Sequence, residues 1–292
     1  MHVLFDERTA LCSGSSMDPV LLDIDNRVAT ITLNRPDRLN AWTGRMHTEY
    51  RRLLKVAEND TAARVIVVTG AGRGFCAGGD SEALEGHVAR GFYDDGIKEP
   101  PATPGFGVRP EFDQSFAYHY GLTTPVIAKV NGPAAGVGLV LACFADLRFA
   151  AAEAKITTAF AKLGICAEYG LSWVLPRLVG VTAAADLLFT GRTFTAADAP
   201  TGLFNRVVPR AELDEVADQQ VRWLADQVSP ASVRATKAQL YADLHRDIGS
   251  AVAESEQLLL KMMSEADYAE GVAAYTERRP PNFADPLGPH AH

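Results

Sequence analysis

The chain reads as an α/β protein. Twice, a short β-type run is followed directly by a glycine-containing turn and then by a segment suited to a helix, and the last third carries helical patterns alone. Val20–Asp25 and Val28–Leu33 alternate in part and flank Asn26-Arg27, which predicts an opening β-hairpin. Asn34-Arg35-Pro36-Asp37 reads as a turn. Thr43 to Glu58 predicts a helix, with Thr43 near its N-cap and Met46, Tyr50, Leu53, Leu54 and Ala57 on one apolar face.

The strand Val65–Thr69 runs into the first glycine turn, Phe75-Cys76-Ala77-Gly78-Gly79-Asp80, and a shorter helix follows from Ser81 to Arg90. Gly91 to Asp113 is rich in Gly, Pro and acidic residues, and a segment of that length is expected to be a mobile loop or lid. Phe116 to Leu122 leads to the strand Val126–Val130, the second turn Asn131-Gly132-Pro133-Ala134-Ala135-Gly136-Val137-Gly138, and a helix Gly138–Phe144. Leu147–Ala150 is a further strand. Beyond Arg192, Ala211–Val228, Ala231–Leu244 and Ile248–Met263 predict helices, with Pro230 between the first two; Pro280 onward ends the regular pattern.

With 292 residues and 47% hydrophobic content, the chain can bury a large core, near the upper size of a single domain. Its net charge of −8 argues against a nucleic-acid partner, which needs a basic face. Cys12, Cys76, Cys143 and Cys166 form no CxxC pair, so no metal site is expected, and scattered thiols fit a cytoplasmic setting. Residues 1–17 lack a basic segment followed by an apolar one and are expected to be a flexible extension. The longest apolar run, Pro133 to Ala145, is shorter than the roughly 20 residues of a membrane span, so no membrane association is expected.

Two strand-to-helix turns are able to aim two backbone N–H groups at one point, an arrangement that binds a developing oxyanion. Gly72-Arg73-Gly74-Phe75-Cys76-Ala77 formally fits a dinucleotide-binding pattern. Gly78, Gly79 and Asp80 prolong the turn instead of opening a helix, and no return strand with a terminal acid follows.

From Val20 to Phe283 the chain resembles the crotonase superfamily, the enoyl-CoA hydratase/isomerase family. The resemblance is carried by Asn34-Arg35-Pro36 with Leu39-Asn40-Ala41, by Gly74 to Asp80, by Pro125-Val126-Ile127-Ala128 through Val130-Asn131-Gly132, by Asp146 to Ala150, by Leu175 to Gly180, and by Arg278 to Phe283. It implies a spiral of ββα units over 18–205 holding the CoA and acyl site, then a helical region over 206–283 used in trimers or dimers of trimers, with a flexible tail over 284–292. It also implies an acyl-CoA thioester as substrate, no cofactor beyond that CoA, and an enolate stabilised by the backbone N–H groups of Ala77 and Val137. Arg38, Leu39 and Ala41 match positions along the CoA nucleotide, and Arg38 suits a phosphate. Gly79 and Asp80 complete the first turn, where Asp80 is expected to hold the loop rather than move a proton. Arg278 and Arg279 are weaker candidates for a neighbouring subunit's CoA.

The two glutamates that hydratases of this family place across a bound water match Val140 and Phe160 here (or Ala159, one position earlier). Addition of water needs one group to activate it and another to deliver a proton, and two apolar side chains do neither. Glu168 stands where some relatives, among them dienoyl-CoA isomerases, carry a functional aspartate. In an apolar setting its pKa rises and it becomes a usable base and acid. One carboxylate suits double-bond isomerisation; a CoA-thioester hydrolase and a CoA-binding homologue with little catalysis are the alternatives. His119, between Tyr118 and Tyr120, is a further substrate-contacting candidate, and Tyr169 and Trp173 are candidates for the acyl wall or for the core.

Overall fold

The computed structural model describes residues 18–91 and 111–285. The terminal extension 1–17, most of the expected loop at 91–113 and most of the tail therefore lie outside the described residues. The opening hairpin pairs β1 (Val20–Asp25) with β2 (Val28–Leu33) antiparallel, from Val20 against Leu33 to Asp25 against Val28. Its two turn residues, Asn26 and Arg27, have φ of 48° and 68°. Positive φ at both central positions is the type I′ geometry whose twist matches that of the flanking strands.

Every later strand of the main sheet is added in parallel, each beside the last: Val65–Gly70 beside β2, then Val126–Val130, Leu147–Ala151 and Arg206–Val208. The helix α1 (Gly44–Asn59) starts as predicted, with the Thr43 hydroxyl accepting from Met46 N at 3.2 Å, and buries Met46, Tyr50, Leu53, Leu54 and Ala57. β3 (Val65–Gly70) leads through the first turn into α2 (Ser81–Arg90), and a one-turn helix, α3 (Tyr118–Gly121), precedes β4 (Val126–Val130).

From there the chain builds spiral units. β4 is followed by β5 (Ala134–Ala135) and α4 (Val137–Cys143); β6 (Leu147–Ala151) by β7 (Lys155–Thr157) and α5 (Leu171–Thr190); β8 (Phe194–Thr195) by β9 (Arg206–Val208) and α6 (Arg210–Asp226). Each unit gives one strand to the main sheet and one to a second sheet, ordered β5-β7-β8. Helices α7 (Pro230–Ala242), α8 (Ile248–Met262) and α9 (Ala266–Glu277) complete the described chain.

Helix α5 is absent from the sequence-based expectation because Pro176 and Gly180 interrupt its pattern; Gly180 has φ 78°, a break between two helical pieces. By length and composition α5 alone among the described helices is apolar enough to cross a membrane. That break divides it, and Leu171, Val174, Leu175, Ala184 and Leu187 are buried against the protein.

A buried ion pair ties the C-terminal helices to the sheet. Lys237 on α7 donates to Asp146 at 2.7 Å and to Thr124 O at 2.9 Å, while the Tyr241 hydroxyl donates to the other Asp146 oxygen at 2.6 Å.

Candidate active site

The two glycine turns meet. Cys76 N donates to Pro133 O at 3.0 Å and Ala135 N returns a bond to Cys76 O at 3.0 Å. The approach is so close that a Cβ on Gly138 would lie 2.1 Å from Cys76 O, and one on Gly132 would lie 2.0 Å from Arg73 O. Only glycine permits backbones at that separation. Asn131 pins the strand ends below the turns: its amide donates to Gly70 O at 2.8 Å and Gly72 O at 3.0 Å.

A third segment braces the first turn. Leu39 and Asn40 take φ of 49° and 58°, and the buried Asn40 amide donates to Ala71 O at 3.0 Å and Gly74 O at 2.8 Å. Trp42 N donates to Gly78 O at 2.7 Å, and Asp80 N to Trp42 O at 3.0 Å. In the same ladder Ala77 N donates to Leu39 O at 3.0 Å.

That last bond corrects the expected donor. The Ala77 N–H is spent inside the protein, whereas among the described residues no acceptor takes the N–H of Gly79 or of Val137. Gly79 follows the bonded Ala77 and Gly78 and precedes the bonded Asp80, and both Gly79 and Val137 line a cavity of about 250 Å³ at the meeting of the turns. The sequence offers no sign of this choice, because the acceptor comes from a segment 38 residues upstream.

Asp80 acts as the loop holder that the sequence suggests. It is buried, caps α2 by accepting from Glu82 N at 3.0 Å, and pairs with Arg35 at 2.9 Å and Arg38 at 3.6 Å. Burial by itself raises its pKa, but the bonds from Arg35 and Glu82 N and the charge of Arg38 outweigh it, so the carboxyl titrates below the ordinary aspartate range. Arg38 is exposed and pairs with both Glu82, at 2.5 Å, and Asp80. Leu39 and Ala41 contribute carbonyls to Ala77 N and Arg35 rather than side chains to the cavity. Arg279 is held within the chain by Glu270 and Glu277, both at 2.6 Å.

The positions matched to the family's two glutamates fare differently. Phe160 lines the cavity, its ring beside Gly136 with Cε1 3.7 Å from where a Cβ would stand. Val140, one turn into α4, is 0% exposed in the core and is not a cavity residue. His119 also lies away from the cavity: it is fully buried, with Nε2 2.7 Å from the Tyr50 hydroxyl. Burial first, and then the charge of Lys237, lower its pKa to about 3, which makes it a neutral core histidine.

Glu168 does line the cavity, half-buried. Its backbone is fixed by two successive left-handed residues, Tyr169 at φ 50° and Gly170 at φ 76°, and by Leu171 N donating to Glu168 O at 3.0 Å at the start of α5. A tyrosine held in that region is a local strain that the surroundings must impose. Burial raises the Glu168 pKa, and the charge of His87 opposes the rise. Tyr169 is a cavity residue too and meets Phe116 edge-on at 5.3 Å; Trp173 instead stacks under Arg177 and beside His245.

The sequence reading passed over His87 and His47, both of which line the cavity. A signal for His87 was present: Asp80, Ala83, Leu84 and His87 recur at helical spacing along one face of α2, and all four face the cavity. Among the described residues no group of three or more His, Cys, Asp or Glu side chains is placed to hold a metal ion.

A family model described as enoyl-CoA hydratase/isomerase matches residues 23–286. The 1,2-epoxyphenylacetyl-CoA isomerase of Escherichia coli (strain K12) is 34% identical over 281 residues, covering 91% of this chain and 98% of that protein. The probable enoyl-CoA hydratase EchA12 of Mycobacterium tuberculosis (strain ATCC 25618 / H37Rv) is 35% identical over 267 residues, covering 88% and 90%. Among solved structures, a probable enoyl-CoA hydratase/isomerase from Mycobacterium abscessus matches with a TM-score of 0.79 at 33% identity, covering 91% of this chain and 98% of that one.

Proposed function

We propose a reaction for this chain from the premise that it belongs to the enoyl-CoA hydratase/isomerase family: it moves a double bond along an acyl-CoA, with Glu168 carrying the proton. The observation that supports this reading is a single cavity holding two unengaged backbone N–H groups, those of Gly79 and Val137, together with the half-buried carboxylate of Glu168. The thioester oxygen sits between the two N–H groups. The Glu168 carboxylate removes a proton from one carbon of the acyl chain, and the electron pair left behind delocalises onto that oxygen as a dienolate. Glu168 then returns the proton two carbons away, so the substrate gains and loses nothing. Each N–H donor aimed at such an oxyanion is worth about 3 kcal/mol of barrier.

Phe160 argues against hydration by the family's usual pair, since a ring stands where the resemblance places one acid, and Val140 stands in the core where it places the other. Burial raises the Glu168 pKa above the ordinary glutamate value, in the direction that suits a group that both accepts and returns a proton. The assembly is read as a homotrimer or a dimer of trimers, supported by the exposed apolar residues of α8 and α9, among them Leu260, Val272 and Tyr275.

The test supplies 3-enoyl-CoA and 2-enoyl-CoA of several chain lengths and follows double-bond migration, hydration and free CoA. Migration by the wild type, lost by at least about 10²-fold in Glu168→Gln, is the expected result. CoA release in place of migration favours the hydrolase, and no product from any substrate favours a binding protein.

A further inference from the structure

One stretch of the cavity wall is made of rings that separate segments bring together. Trp42 and Tyr169 both line the cavity, and the fully buried Phe116 ties them, its ring centroid 5.4 Å from that of Trp42 and 5.3 Å from that of Tyr169. Tyr50 holds Trp42 from a further side at 5.7 Å. This wall adjoins the chemistry at both ends. Trp42 forms a parallel bridge with Gly79, one of the two donors, and Tyr169 follows Glu168 in the chain. A third cavity ring, Phe160, stands beside Gly136, the residue before the other donor, Val137. We propose that the acyl group taken by this cavity carries an aromatic ring close to the thioester, seated on Trp42 and Tyr169. The inference deepens the reading of the cavity as an acyl-CoA site and rests on it.

The backbone shows that the wall is imposed rather than incidental. Phe116 and Tyr169 have φ of 64° and 50°, a region that bulky side chains rarely adopt. Such conformations persist only where the surroundings enforce them, and they gather at ligand sites. Here both partners of one ring contact are held that way. Leu84, Leu163 and Ile165 line the cavity as well, and they accept any apolar chain. The rings add a preference, because aromatic pairs gain from edge-to-face or offset contact beyond the area they bury. The space suffices: the cavity of about 250 Å³ exceeds the roughly 150 Å³ that holds a benzene, which leaves room for a short link to the thioester. The reaction favours the same substrates. When a proton leaves the carbon next to the thioester of a 4-aryl-3-enoyl-CoA, the electron pair spreads over the thioester oxygen, the chain and the ring. The proton returns at the carbon that bears the ring, and nothing is oxidised or reduced.

The experiment measures binding of saturated thioesters, which double-bond chemistry leaves unchanged. Three of them, 4-phenylbutanoyl-CoA, 4-cyclohexylbutanoyl-CoA and decanoyl-CoA, carry the same number of acyl carbons. Their Kd values are compared by calorimetry for wild type, Trp42→Leu, Tyr169→Leu and Tyr169→Phe. A cavity that reads only apolar area favours the long chain of decanoyl-CoA. Wild type is expected to bind the phenyl ligand about tenfold more tightly than either of the others, since each of the two ring contacts contributes about threefold. Trp42→Leu and Tyr169→Leu each lower that ratio by about threefold, and Tyr169→Phe keeps it. The ratio cancels any loss common to all three ligands, and the wild-type comparison decides the matter even where a variant fails to fold.

Decanoyl-CoA bound as tightly as the phenyl ligand overturns the inference. So does a cyclohexyl ligand that matches the phenyl one, or a ratio unmoved in both folded leucine variants. Turnover of 4-phenylbut-3-enoyl-CoA and 3-decenoyl-CoA by wild type and Glu168→Gln separates this result from the reaction itself. A phenyl preference in binding, with no migration of either double bond, overturns the isomerase reading and leaves the ring site standing. Migration lost in Glu168→Gln, with no phenyl preference in binding, overturns the ring site and leaves the isomerase reading standing. No binding of any of the three thioesters overturns both.

Discussion

Gly138→Ala tests whether the two turns work as one unit. The new methyl would stand 2.1 Å from Cys76 O, 2.8 Å from Cys76 Cβ and 2.9 Å from Cys76 C. Two of these three atoms are backbone, and Cys76 is fully buried, so no side-chain rotation relieves the clash. A carbon–oxygen contact settles near 3.3 Å, and the turns must therefore part by about 1.2 Å. Overpacking of this kind costs about 1–3 kcal/mol, a fall in Tm of about 2–5 °C for a chain of this size. The same displacement moves Val137 N away from Gly79 N, and a misplacement near 1 Å costs about 10²-fold in kcat. Gly271→Ala is the control: inside α9 its nearest neighbour would be the Phe283 ring at 3.9 Å, so the variant keeps its activity and gains about 0.5 kcal/mol. Thermal unfolding and steady-state isomerisation give both quantities. If Gly138→Ala matches wild type in Tm and lies within about threefold in kcat, the claim that these turns jointly hold the oxyanion is wrong.

Two further outcomes follow from buried and exposed groups. His119 has a folded pKa of about 3, depressed by burial and Lys237, against an ordinary 6.5, so below pH 6.5 the unfolded chain takes up a proton that the folded chain refuses. Its contribution to stability is intact above that value and lost as pH falls toward 3, by about 1.4 kcal/mol between pH 7.5 and 5.5. Urea unfolding of His119→Gln at these two pH values should show the variant losing that much less than wild type, and equal losses would refute the account. Leu260 on α8 is 72% exposed and Tyr275 on α9 is 86% exposed. Leu260→Glu is expected to shift the assembly toward monomer by light scattering, and a wild type already monomeric at micromolar concentration rules out the trimer reading.

Much of the fold was legible because local chemistry and tertiary structure agree. The capping hydroxyl of Thr43 and the apolar face behind it placed α1 to within one residue, and Asn26-Arg27 announced the hairpin. What escaped was set by distant contacts. The pairs β5–β7 and β7–β8 are two residues long each and exist because the spiral brings them side by side, so no periodicity accumulates within them. Helix α9 followed a predicted helix after a break at Met263 to Glu265, too short to read as a separate element. The candidate site shows the same division. Glu168 was reached from the sequence through the family resemblance, by its place before Leu175-Pro176-Arg177, and the structure puts it on the cavity wall. The choice of Gly79 over Ala77 was not, because it depends on where Leu39 O arrives.

The parts that would hold an oxyanion and the part that would move a proton are built from separate hardware. The donors of Gly79 and Val137 are placed mainly by backbone: bonds among Leu39, Trp42, Cys76, Pro133 and Ala135, and glycines at the contact points, with the Asn40 and Asn131 amides bracing the turns from below. No acidic side chain takes part in that lattice except Asp80, which is locked to Arg35 and does not face the work of proton transfer. Val140 and Phe160 are therefore free to be apolar without disturbing the donors, since neither side chain accepts or gives a bond in the turns. The proposed base, Glu168, sits on another loop, fixed by Tyr169 and Gly170 before α5. A change of base would thus leave the oxyanion site intact, and under the proposed reaction what is done to the enolate depends on which carboxylate the α5 loop presents.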